Sequence, residues 1–224
     1  MQAQKRKEWS MKILGAILGG AFLFGSFQSL TTLFEPQPEQ LIAQAEQQIQ
    51  AKQWEAALES LQLARQKDPG DARAEVLSGQ IYRQRGQHEE ALASFERARQ
   101  KDPRRPLVYE LLGMEQTQLK QYDKAEESFK KAVEMSPQDA QTQSNLGALY
   151  AQTNRPKLAV DAFKKSVTID PTYADGHFNL GALYQQLGDH ASAVTHFEQF
   201  LKLRPDAPEK AQIQNYLVQN KSGS

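Results

Sequence analysis

Residues 174–207, ADGHFNLGALYQQLGDHASAVTHFEQFLKLRPDA, decide the fold because the rest of the chain repeats them. Laid over the preceding 34 residues, AQTQSNLGALYAQTNRPKLAVDAFKKSVTIDPTY (140–173), they match in register. Leu146-Gly147 falls over Leu180-Gly181, Tyr150 over Tyr184, Ala159 over Ala193, Phe163 over Phe197 and Pro171 over Pro205. The frame slides back three more times without insertion or deletion. Pro69, Pro103, Pro137, Pro171 and Pro205 recur, as do the large apolar anchors Leu61, Phe95, Phe129, Phe163 and Phe197. One small position reads Ala57, Ala91, Ala125, Ala159, Ala193, and a second reads Ala45, Gly79, Gly113, Gly147, Gly181. A fixed period of this length over five copies is the mark of a repeat solenoid.

Each copy reads as two helices. Asp71 precedes the apolar-periodic run Val76, Leu77, Ile81 and is placed to cap the first helix of copy two. Gly86, like Gly188 in copy five, is placed to end a helix in a left-handed conformation. Ala91, Leu92, Phe95 and Ala98 then lie on one stripe of a second helix, which Asp102-Pro103 breaks. The small residues at 45, 79, 113, 147 and 181 are expected to face the alanines at 57, 91, 125, 159 and 193, with the phenylalanines filling the space between one unit and the next. On that packing Gly147→Leu overpacks the contact and costs on the order of 1–3 kcal/mol, read as a lower melting temperature. Ile213, Tyr216 and Leu217 form one stripe in an otherwise polar segment, a capping helix for the end unit.

The pattern Leu-Gly-x-x-Tyr, then Ala-x-x-x-Phe-x-x-Ala, then Pro, resembles the tetratricopeptide repeat (TPR) family over about three quarters of the chain. The second-helix signature survives in all five copies. The first helix departs at Gln44 and Gln48 in copy one and at Gln116 and Lys120 in copy three; Asn154 and Pro156 depart in copy four. The resemblance implies an all-α, right-handed solenoid of five helix-turn-helix repeats at 38–71, 72–105, 106–139, 140–173 and 174–207. A capping helix at 208–220 and a frayed tail at 221–224 follow.

The amino-terminal part has a different character. A basic segment, 1–12, carries Lys5, Arg6, Lys7 and Lys12, and residues 13–34, ILGAILGGAFLFGSFQSLTTLF, hold no charge. Twenty-two residues rise roughly 33 Å as a helix, enough for a hydrocarbon core of about 30 Å. Trp9 and Phe34 flank the stretch as interfacial aromatics would. Gln28, Ser29, Thr31 and Thr32 dilute its second half, so a cleaved signal peptide is the alternative to a transmembrane signal anchor. The first Ala-x-Ala beyond the apolar stretch, Ala43-Gln44-Ala45, lies inside the first repeat helix and too far downstream for cleavage, which favours the anchor. The basic residues then keep the amino terminus cytoplasmic and put the repeats on the periplasmic or lumenal side. Gly15 and Gly19 make a GxxxG spacing through which the anchor could pair with a copy or a partner, although glycine is simply common in membrane helices. A short linker, 35–40, holds the repeats close to the membrane surface.

Composition narrows the function. Lysine plus arginine and aspartate plus glutamate each total 27, so a nucleic-acid partner, which needs an electropositive face, is disfavoured. With no cysteine there is no thiolate metal site and no thiol nucleophile. His88 and His190 share one repeat position with Trp54 and Tyr122, a packing position; His177 has no carboxylate partner that the sequence can place. No Gly-rich phosphate loop is present. The chain is therefore read as a non-enzyme with no cofactor and no metal.

In the TPR family the first helices line a concave groove that receives peptides or partner helices. The positions that correspond here include Arg83, Gln84, Met114, Thr117, Gln118, Asn145, Gln152, Asn179, Gln185 and Gln186. Gln50, Gln84, Gln118, Gln152 and Gln186 share one repeat position, a ladder of neutral donors and acceptors suited to an extended backbone; equally, glutamine is a good exposed helix residue. Where the family's chaperone clamp places lysines and asparagines, Ile42, Glu46, Leu77, Leu107 and Leu111 stand instead. The layout resembles TPR assembly factors of envelope machines and photosystems. The expected function is a membrane-anchored scaffold for other proteins; a receptor for signal sequences and a non-catalytic regulatory subunit are the alternatives.

Overall fold

The 34-residue period becomes a pair of antiparallel helices. The computed structural model describes residues 35–221, and these form eleven helices without a strand. First helices are α1 (Pro38–Gln50), α3 (Arg73–Gln84), α5 (Pro106–Gln118), α7 (Ala140–Gln152) and α9 (Ala174–Leu187). Second helices are α2 (Trp54–Lys67), α4 (His88–Lys101), α6 (Tyr122–Met135), α8 (Pro156–Ile169) and α10 (His190–Leu203). The cap is α11 (Lys210–Lys221). No helix among the described residues is long and apolar enough to cross a membrane. The basic segment 1–12, the anchor 13–34 with Gly15 and Gly19, and residues 222–224 lie outside the described residues.

Local chemistry sets the ends of the helices. Pro38 opens α1 at a position whose amide needs no partner, so Glu39 and Gln40, expected in the linker, form its first turn. Asp71 acts one residue further out than expected: α3 starts at Arg73, whose amide donates to Asp71 Oδ1 at 2.8 Å. Every turn inside a repeat passes through positive φ at the same position: Lys52 (55°), Gly86 (72°), Lys120 (58°), Asn154 (55°) and Gly188 (78°). Lys120 and Asn154 thus keep the glycine conformation without glycine, at the steric cost a Cβ brings to that region.

The packing of the small residues adds a contact to the expected one. Each phenylalanine sits against the glycine of its own repeat, and Phe197 also meets Tyr216 of the following cap. A Cβ on Gly79 would lie 2.4 Å from Phe95, on Gly113 2.8 Å from Phe129, on Gly147 2.7 Å from Phe163 and on Gly181 2.8 Å from Phe197. In copy one the ring is replaced by Leu61 and the glycine by Ala45, both fully buried. Volume removed from one helix is returned by the other, as close packing requires. The alanines Ala57, Ala91, Ala125, Ala159 and Ala193 are all fully buried beside these pairs.

The two glutamines that replace tyrosine have a common solution. Gln48 accepts from Ser60 Oγ at 2.9 Å, and the Gln116 amide pairs with Ser128 Oγ at 2.7 Å, in both cases across the two helices of one repeat. At the equivalent place in copy five, Tyr184 stacks on His196 with 5.8 Å between ring centroids.

Successive first helices touch one another: α1 meets α3, α5 meets α7 and α7 meets α9. Successive second helices make no comparable contact, so the first helices form the inner layer of the curve. The cap behaves differently. It packs on α10, burying Ile213 and Leu217, and makes no comparable contact with α9.

Candidate functional site

The polar residues of the inner layer fall into two groups. Gln50, Gln84, Gln118 and Gln152 are the last residues of their helices, and Gln186 is the last but one of α9. All five are exposed and run along one rim of the inner layer. Gln152 Nε2 donates weakly to Tyr122 Oη at 3.4 Å; Gln50, Gln84, Gln118 and Gln186 have no hydrogen-bond partner among the described residues. Gln185 is exposed in the same way.

Other residues expected in the groove are tied to their neighbours. Arg83 lies across the α3–α5 gap, with Nη1 3.6 Å from Met114 Sδ and Nε 3.9 Å from the buried Glu115. His88 Nδ1 sits 2.8 Å from the other Glu115 oxygen. Thr117 Oγ1 donates to its own helix at Gly113 O, 2.7 Å away. Asn145 Nδ2 donates to Glu110 Oε1 at 2.9 Å, and Asn179 Nδ2 donates to Ser144 Oγ at 3.1 Å. The two asparagines lock α7 to α5 and α9 to α7.

Glu110 is the unanticipated member of this layer. It is 5% exposed, yet its Oε1 receives only the amides of Asn145 and Gln141, each at 2.9 Å, and no cation. Burial, followed by the nearby charge of Asp139, raises its carboxyl above the usual range against the opposing hydrogen bonds of Gln141, Thr142 and Asn145. One repeat earlier, Glu75 is 3% exposed and is met by Arg65 Nη1 at 3.1 Å, Arg97 Nε at 2.9 Å and Lys101 Nζ at 3.1 Å. There burial alone would raise the carboxyl, but the bonds from Arg97 and Lys101 and the charge of Arg65 outweigh it and hold it low.

The histidines are structural. His177 shares its Nδ1 with His196 Nδ1 at 3.1 Å, and its Nε2 meets Pro171 O at 3.1 Å. Burial first, then the charges of His177 and Lys164, lower His196 to about 4. His190 Nδ1 meets Tyr216 Oη at 2.8 Å and so joins α10 to the cap. Among the described residues no group of three or more His, Cys, Asp or Glu could hold a metal.

Where α11 stands off α9 the inner layer opens into a cavity of about 130 Å³, lined by Phe178, Ala182, Gln185, Phe197, Glu209, Gln212, Ile213 and Tyr216. Phe178, Ala182 and Gln185 are one stripe of α9. The sequence carries a sign of this region's character: α5, α7 and α9 contain no lysine or arginine, whereas α6 and α8 each contain three.

Comparison with known proteins bears on the fold. Residues 48–114, 107–139, 152–188 and 174–207 match family models described as tetratricopeptide repeat or TPR repeat. Among solved structures, MamA (residues 41 to the end) from Desulfovibrio magneticus RS-1 is 21% identical with a TM-score of 0.67, covering 76% of this chain and 97% of that one. PilF of Pseudomonas aeruginosa is 19% identical with a TM-score of 0.68, covering 84% and 93%. YrrB, described as a TPR protein with an unusual peptide-binding site, is 21% identical with a TM-score of 0.63, covering 88% and 97%. No curated protein matches the chain. The repeat models together span residues 48–139 and 152–207, the helices around them keep one two-helix unit five times over, and the chain belongs to the tetratricopeptide repeat family.

Proposed function

We propose that this chain is a membrane-tethered scaffold that holds a segment of a partner protein on the inner layer of its repeats and so assembles proteins at a membrane. The row of exposed glutamines along the inner rim carries this reading, because four of the five have unspent donors and acceptors at one spacing. An extended backbone offers the matching groups, and neutral amides bind it without demanding a charge. That YrrB is described as having a peptide-binding site supports the reading by analogy of fold. The uncharged stretch 13–34 supplies the tether, and the basic residues before it favour repeats on the periplasmic or lumenal side.

A photo-crosslinking residue in place of Gln118 is expected to trap partner proteins in cells, whereas the same residue in place of exposed Lys165 on α8 is not. Equal adducts from both positions would remove the inner layer from the account. The tether has its own test, made simple by the absence of cysteine. Ser222→Cys in the full chain is expected to react with a membrane-impermeant maleimide added outside intact cells or on the lumenal side; reaction only after lysis reverses the topology.

A further inference from the structure

We propose that the cavity between α9 and α11 is an anchor site for one aromatic or long aliphatic side chain of a partner segment, flanked in that segment by a lysine or arginine. The proposal rests on the reading that the inner layer binds a polypeptide, and it supplies that polypeptide's chemistry.

The cavity, of about 130 Å³, has an apolar wall of Phe178, Ala182, Phe197, Ile213 and Tyr216 and a polar edge of Gln185, Glu209 and Gln212. An enclosed apolar cavity of about 150 Å³ is large enough to hold benzene, so the space against this apolar wall suits one ring or one branched aliphatic group, with the polar edge left to the flanking backbone and charge. The walls are fixed in place. Phe178 packs on Phe197 and Phe200 with ring centroids 6.1 and 5.1 Å away, and Phe197 meets Tyr216 edge-on at 5.5 Å. Tyr216 is held in turn by His190. A preformed pocket binds without the cost of ordering its walls.

The sign of the flanking charge follows from the surroundings. The inner helices α5, α7 and α9 carry Glu110, Glu115 and Asp175 and no cation over their whole length. Asp175 pairs with Arg204 at 3.2 Å, and Glu115 has His88 Nδ1 at 2.8 Å and Arg83 Nε at 3.9 Å. Glu209, on the rim of the cavity, has no ion-pair partner among the described residues. Its sequence neighbour Lys210 is exposed and makes no pair with it. An acidic residue beside the anchor would be repelled here, and a basic one would find Glu209. Gln118, Gln152 and Gln186 lead along the rim toward the α9 end of the layer, so the anchor would fix the register of a backbone lying on them.

The test selects binders from a displayed library of random twelve-residue peptides against the full chain in detergent. Fluorescein-labelled copies of the winners are then measured by anisotropy. The expected winners carry Phe, Trp, Leu or Ile within two residues of Lys or Arg. Ala182→Leu, which fills the cavity, is expected to weaken them about tenfold or more, as the loss of one buried side chain should. Glu209→Lys, on the rim, is expected to weaken them several-fold and to favour peptides with an acidic flank. Winners that lose affinity to the double variant Gln118→Ala, Gln152→Ala but ignore both cavity variants would overturn the anchor while leaving a peptide-binding inner layer. Winners with an acidic flank on the wild-type chain would overturn the charge assignment. A library that yields no binder overturns the anchor and the peptide-binding reading together.

Discussion

Glu75 and Glu110 are buried one repeat apart in the same solenoid and are held by opposite chemistry. Glu75 sits at a junction crowded with cations, from Arg65 on α2 and from Arg97 and Lys101 on α4. Glu110 sits at a junction with two amides from α7 and no cation. The first arrangement favours the ionised carboxylate and the second favours the protonated acid. A buried charge that is fully paired ties three helices together; a buried charge that is only hydrogen-bonded remains a cost to the fold. Both junctions carry ions on their outer side, since Arg155 also pairs with Glu126 at 2.6 Å between repeats three and four; the difference lies at the buried carboxylate, which is met by cations at Glu75 and by neutral amides at Glu110.

Removing the Glu75 charge gives the largest expected effect. Glu75→Gln leaves Arg65, Arg97 and Lys101 facing one another and is expected to cost about 2–3 kcal/mol in urea or thermal unfolding. This is below the loss for a fully buried pair, because those cations are 28%, 46% and 20% exposed and can turn to water. An unchanged midpoint would mean that the cluster is ornamental. Glu110→Gln is expected to run the other way. It keeps an oxygen for Gln141 and Asn145, drops the uncompensated charge, and should stabilise the chain at pH 7 by about 0.5–1 kcal/mol. A loss of more than that would show that the Glu110 charge has a partner after all.

Acid titration gives the smallest effect and the sharpest contrast. The folded Glu75 carboxyl lies below its unfolded value, so its contribution is complete above the ordinary glutamate pKa of about 4.3 and is lost as pH falls through the folded value. The folded Glu110 carboxyl lies above its unfolded value. Its contribution is therefore complete below about 4.3 and is lost as pH rises through the folded value. The advantage of Glu110→Gln over the parent should accordingly shrink between pH 7 and pH 4, while the deficit of Glu75→Gln shrinks only below pH 4.3 or so. Parallel profiles for the two variants would erase the distinction.

Much of the fold was legible because it is local. The proline breaks, the left-handed turns at Gly86 and Gly188 and the stripe Ile213, Tyr216, Leu217 each depend on residues a few places apart. The exchange of Gly–Phe for Ala–Leu in copy one also stands in the sequence, but that the ring leans on the glycine of its own repeat does not, since a repeat alone does not say which helix its ring touches. The carboxylates were hidden for a different reason. Partners of Glu75 come from residues 65, 97 and 101, and those of Glu110 from 141 and 145, so only the stacking of units brings them together. Asn145 and Asn179 were legible as inner-layer residues, but their bonds to Glu110 and Ser144 were not. The cavity depends on how far the cap stands from α9, a distance that no periodicity records.

The contact between each glycine and the ring of its own repeat reaches beyond stability. Because both halves of that lock lie within one 34-residue unit, a whole unit can be copied, lost or transplanted without breaking it. A single helix cannot: the α1 surface, built around Ala45, would press a methyl group into Phe95 if it replaced that of α3. Any chimera or natural recombinant of this chain should therefore have its joints in the proline-bearing loops between repeats, around Pro69, Pro103, Pro137 or Pro171, and not in the turns within them.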